Sequence, residues 1–182
     1  MVCPRLGARS HSVRSVTMKS RWIALAVLAA ASAAAQADVQ VNFIKSDQFS
    51  DIKDKNGFRQ PEVLDDIKAY LVAQFDKRLP GRDVRIDVTD VDLAGEIEPV
   101  GWGGQWLRVM RSVTSPSIEL SYEVREGDKV VQQGKTRLRD MNYQDGFNNF
   151  SSGDPLRYEK QMLDRWMRQE FSTAVAAAPA SR

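Results

Sequence analysis

The chain of 182 residues contains one cysteine and one histidine, Cys3 and His11, both within the first 37 residues. From Asp38 onward there is neither. That absence excludes a Ser-His-Asp or Cys-His triad, and it excludes zinc sites of the usual nitrogen and sulfur kind. It also excludes disulfides, so stability has to come from an apolar core. A chain of about 150 residues buries roughly 70% of its surface on folding, which is enough for one unaided core. Acidic side chains are missing from the first 37 residues, which carry Arg5, Arg9, Arg14, Lys19 and Arg21. The formal net charge of +2 therefore hides an acidic remainder of 21 basic and 24 acidic residues. No basic stripe with interleaved aromatics occurs in it, which makes nucleic acid a poor partner. A hydrophobic share of 42% and a charged share of 27% describe a globular domain rather than a disordered or collagen-like chain.

Long hydrophobic runs are scarce as well. The one uncharged apolar run, Trp22 to Ala35, falls short of the about 20 residues that span a bilayer. It follows the basic segment Lys19-Ser20-Arg21 and precedes Ala35-Gln36-Ala37, a small-x-small cleavage pattern before Asp38. This is the layout of a secretory signal peptide. Met18 directly precedes the basic segment, so translation is expected to start there. Cys3 lies upstream of the apolar run and supplies no lipobox. The expectation is an extension and cleaved signal over residues 1–37, one domain over 38–171 and a flexible, alanine-rich tail over 172–182. The mature protein is expected to be periplasmic or secreted, with no stable membrane insertion.

Val39, Val41 and Phe43 alternate with Gln40 and Asn42 as in a half-buried strand. A polar stretch from Lys45 to Gln60 follows and reads as a loop, with Phe49, Ile52 and Phe58 available to dock on a core. Pro61 suits a first helical turn, and Val63, Leu64, Ile67, Leu71, Phe75 and Leu79 recur at helical spacing until Pro80-Gly81. Val84, Ile86 and Val88 alternate as a second strand, but Val91 and Leu93 have the opposite parity. Either a bulge near Thr89-Asp90 or burial on both faces accounts for that. A long loop separates it from Ile118, Leu120, Tyr122 and Val124, which begin a hairpin turning at Glu126-Gly127-Asp128-Lys129 and returning to Arg139. Asp154-Pro155 then opens a second helix to about residue 171. The order predicts an α+β fold, a single mostly antiparallel four-stranded sheet with two helices packed on one face. Glu119, Glu123, Arg125, Arg137 and Arg139 would face water.

Several separated phrases occur in order: Val39-Gln-Val-Asn-Phe43, Asp90-Val-Asp-Leu-Ala-Gly-Glu96, Leu138-Arg-Asp-Met141 and Arg157-Tyr-Glu-Lys-Gln-Met-Leu-Asp-Arg-Trp166. With them the chain resembles the bacterial exported proteins grouped as domain of unknown function 3016, over nearly all of the segment after the signal. The resemblance implies export and a single folding unit. That family has no assigned activity, so it implies no mechanism.

Two clusters are candidate sites. In the first, Asp87, Asp90, Asp92, Glu96 and Glu98 crowd a short stretch, and Asp90 and Asp92 share one side of a strand. They could hold a cation or form an acid-base pair. An EF-hand is excluded because its fifth and twelfth positions would be Ala94 and Gly101. The structural alternative is that one aspartate caps loop amides and another pairs with arginine. In the second, Pro99-Val-Gly-Trp-Gly-Gly-Gln-Trp106 sets Trp102 and Trp106 among three glycines. Such a loop offers flat faces to a sugar or a partner peptide, unless a tryptophan folds back over the sheet. It lacks the lysine and the strand-to-helix setting of a phosphate loop. The charged residues on the second helix, among them Glu159, Lys160, Asp164 and Arg168, read as a solvated face with Asp164 and Arg168 paired, and Trp166 reads as core. The expectation is a non-enzymatic accessory or binding domain without metal or cofactor, contacting another envelope protein or a polymer through the Trp-Gly loop. A carboxylate-based hydrolase using Asp90, Asp92 and Glu96 is the alternative.

Overall fold

The computed structural model describes residues 38–52 and 61–172. The signal segment, Phe58 and the tail beyond Ser172 lie outside the described residues. Strand β1 is Val39–Phe43 and helix α1 is Pro61–Arg78; strand β2, Asp83–Asp92, follows. Strands β3, Glu96–Val100, and β4, Gln105–Val109, come next, then β5, Ser117–Glu126, β6, Lys129–Arg139, and helix α2, Arg157–Glu170. The larger sheet has the order β1-β2-β5-β6, and β3 with β4 forms a separate two-stranded sheet.

The fold is α+β, but the large sheet is mixed rather than mostly antiparallel. β1 and β2 pair in parallel, while β2 with β5 and β5 with β6 are antiparallel. The cause is α1. A helical crossover returns the chain to the end of the sheet where β1 began, so the next strand must run the same way. The second correction is the small sheet, which occupies part of the stretch expected to be a long loop.

One face of the large sheet is apolar, and both helices share it. Val41, Ile86 and Tyr122 are paired across three strands and buried. They join Leu64, Ile67, Leu71 and Phe75 of α1 and Met162, Leu163, Trp166 and Met167 of α2 in one core. Phe75, Trp166, Phe171 and Tyr122 meet edge to face, with ring centroids 5.2 to 6.1 Å apart, an arrangement favoured by the ring quadrupole. Trp166 is core, as its spacing predicts. Asp164 of α2 takes Arg78 of α1 as well as Arg168 one turn on.

The parity change in β2 is a bulge. Val88 pairs with Leu120 and Asp90 with Glu119, which leaves Thr89 without an opposite residue. Beyond it Val91 points into the core again. A second register shift, between Val124 and Arg125, sets Val131 aside on β6. The opposite face is polar, with Arg85–Asp87, Arg125–Glu123 and Arg137–Glu119 ion pairs at 3.2, 2.5 and 3.4 Å. Phe49 and Ile52 dock on the core, held by the Asp51 amide on the Val91 carbonyl at 3.1 Å. No described helix is long and apolar enough to cross a membrane.

Candidate functional site

β3 and β4 form a ribbon that leaves the body of the domain at Gly95. Leu93 and Ala94 are buried at the end of β2, and Gly95 then takes φ +76°. A Cβ there would lie 2.6 Å from the Val109 carbonyl oxygen, so both the turn and the closeness of β4 require glycine. Pro99 is tolerated because a two-stranded ribbon has free edges. The turn at the far end runs from Gly101 to Gly104, whose φ values are +72° and +60°, closed by the Gly104 amide on the Gly101 carbonyl at 3.2 Å.

Trp102 sits in that turn and is entirely exposed. Trp106 is paired across the ribbon with Pro99 and is 45% exposed, whereas Trp166 retains 7%. Val100 and Leu107 are exposed as well. The tryptophans therefore do not fold back over the sheet, and the ribbon presents flat apolar surface at the end farthest from its hinge. The base is firmly tied. Arg108 Nη1 donates to Asp51 Oδ2 at 2.6 Å and to the Gly95 carbonyl at 2.9 Å. The Gly95 amide donates to the Thr114 carbonyl at 3.0 Å. Arg111 grips Glu98 with two bonds of 3.0 and 2.6 Å and holds that carboxyl below its ordinary range.

The acidic cluster is distributed by this geometry. Asp90 accepts from the Ser50 amide at 2.8 Å and from its hydroxyl at 2.9 Å, capping the segment before α1. Asp87 accepts from the Asn42 side-chain amide at 2.8 Å. Asp92 lies on the same side of β2 as Asp90; partial burial, then the charges of Asp51 and Asp90, push its carboxyl up. Glu96 belongs to the other sheet, opposite Val109 and exposed. Among the described residues no group of three or more His, Cys, Asp or Glu is arranged to hold a metal ion. Two shallow depressions lie along Arg85, Glu123 and Arg125 on the open face, and Asp90, Asp92 and Glu96 line neither.

One polar residue is placed against its sequence reading. Glu159 is not on a solvated helix face; it is 1% exposed, beneath the hinge of the ribbon. Its Oε1 accepts from the Ala94 amide at 2.7 Å. The signal that could have found it is helical spacing, since position 159 is one turn before Leu163 on the buried stripe.

A family model described as protein of unknown function, DUF3016, matches residues 37–169. The chain belongs to the DUF3016 family. No curated protein and no solved structure matches it. The DUF3016 match takes in both sheets and nearly all of α2, so the ribbon and the hinge beneath it lie within the family's matched region.

Proposed function

We propose that this DUF3016 member is an exported accessory domain that binds another envelope protein or a polymer through the β3–β4 ribbon, and that it is not an enzyme. The observation that carries this reading is the complete exposure of Trp102 at the tip of a braced ribbon. Burying a tryptophan is worth a few kcal/mol, and tryptophan is enriched among the residues that dominate binding interfaces. Trp106 and Leu107 extend the same apolar surface along β4. A braced ribbon loses little conformational freedom on binding, which favours affinity.

The hydrolase alternative needs Asp90, Asp92 and Glu96 at one reacting bond, and Asp90 is already engaged by Ser50 while Glu96 lies on the other sheet. Export rests on the basic segment, apolar run and Ala-Gln-Ala pattern before Asp38. Mass spectrometry of protein from the periplasmic fraction is expected to give Asp38 as the N-terminus; an intact Met1 or Met18 product in the cytoplasm would contradict export. For binding, co-purification from the envelope is expected to recover a species with the wild type and to lose it with Trp102→Ala, at unchanged melting temperature. Equal recovery by both chains would overturn the reading.

A further inference from the structure

Glu159 joins α2 to the ribbon at the backbone of its hinge. Its Oε1 accepts from the Ala94 amide, while Oε2 is buried and has no hydrogen-bond partner. An ionised carboxylate offers acceptor sites on both oxygens. Burying a charged oxygen without a donor is costly, so this environment favours the neutral acid. Burial accordingly pushes the Glu159 carboxyl above its ordinary range, and Asp154, from the turn before α2, pushes the same way. The hinge amide of Ala94, the backbone amide of Glu159 itself and the charge of Arg108 of β4 oppose it.

Arg108 gives both terminal nitrogens to Asp51 and Nη1 also to the carbonyls of Gly95 and Ala94, and Asp154 is held by Lys160 at 2.7 Å. A donor for Oε2 must come from elsewhere. Either Arg108 releases the hinge carbonyl, or water enters between Ala94 and α2. Both events unseat β3 and β4 where they join the domain.

We propose that Glu159 is a proton-controlled latch on the ribbon: the neutral carboxyl keeps Ala94 and Gly95 seated, and its ionisation loosens the hinge and frees the ribbon. The latch acts on the ribbon assigned to binding above and rests on that reading for its purpose, though not for its test. The sequence's one histidine, His11, lies outside the described residues. A transition above the ordinary carboxylate range in the described domain therefore points to a displaced carboxyl. Asp92 is the competing source, being raised as well.

The test is amide hydrogen exchange of the full chain against pH, corrected for intrinsic rates, with the carboxyl carbon of Glu159 followed by NMR. Protection of Ala94 and the ribbon amides is expected to be lost as Glu159 titrates, since a carboxyl displaced upward while buried is linked to the opening that rehydrates it. Glu159→Gln should abolish that transition, Asp92→Asn should keep it, and Trp102→Ala should keep it while losing any partner. If Glu159→Gln does not fold, the wild type still decides: the midpoints of the Glu159 carbon and the Ala94 amide must coincide above the ordinary range. Separate midpoints, a Glu159 midpoint in the ordinary range, unchanged protection, or a transition that persists in Glu159→Gln would each overturn the latch.

Discussion

The ring of Tyr122 lies across Gly134 on the neighbouring strand. The two are paired in register, and a Cβ at position 134 would come within 2.8 Å of the ring and its hydroxyl. The ring reaches the sheet edge and donates its hydroxyl to Glu170 of α2, where burial, with that bond, pushes the phenol up to about 12. Gly134→Ala is expected to force the ring aside and cost about 1 to 3 kcal/mol, as overpacking does. Urea unfolding checks this, and Tyr122→Leu in the same chain should recover part of the loss.

How far the sequence carried this fold depends on the range of the interactions involved. Period-two alternation marks β1, β2 and β5, the turn at Glu126-Gly127-Asp128-Lys129 marks the returning β6, helical spacing marks α1 and α2, and the parity change at Thr89-Asp90 marks a bulge or two-sided burial without choosing between them, because each is written in neighbouring residues. The parallel pairing of β1 with β2 is a property of the crossover and is not visible in either strand. The β3–β4 ribbon was obscured because Glu96, Glu98 and Pro99 are poor strand formers and neither face of a protruding ribbon is buried enough to alternate. At the site, the Trp-Gly segment was legible as a glycine-rich aromatic element, but its residues do not choose between projecting and folding back over the sheet, and the burial of Glu159 was not inferred, since a charged residue on a buried stripe reads first as an exception at the margin.

Three of the tryptophans should be separable by environment. In single-tryptophan variants, Trp102 is expected to show red-shifted emission and near-maximal acrylamide quenching, Trp106 intermediate quenching and Trp166 blue-shifted, protected emission. Equal protection of Trp102 and Trp166 would mean that the ribbon packs away in solution.

Calcium or magnesium is expected to leave the melting temperature unchanged, because Asp90 serves Ser50 and the cluster is divided between two sheets. Asp90→Asn should cost up to about 2 kcal/mol, the scale of a lost cap or hydrogen bond. A rise of several degrees with calcium, absent from the Asp90→Asn, Asp92→Asn double variant, would restore the cation site.

Asp154 is not the N-cap its sequence position suggests, since Leu156 holds that place before Arg157; from the preceding turn it accepts from the Leu156 amide at 2.9 Å and from Lys160 Nζ at 2.7 Å. Burial opposes its ionisation, but these bonds outweigh it and hold the carboxyl below its ordinary range. A depressed carboxylate contributes stability that is present above the unfolded-state value and lost as pH falls through the folded one. The acid limb of a stability-pH curve should therefore flatten in Asp154→Asn. Asp154→Ala should cost about 0.5 to 2 kcal/mol at neutral pH.

The claim that the ribbon tip is the binding element is tested most directly by a photoreactive amino acid placed at position 102, with a second chain carrying it at the exposed position 65 on α1. After irradiation in intact envelopes, the chain labelled at 102 is expected to yield a discrete adduct, identifiable by mass, that the chain labelled at 65 lacks. No adduct from position 102, or the same adducts from both positions, would contradict the account.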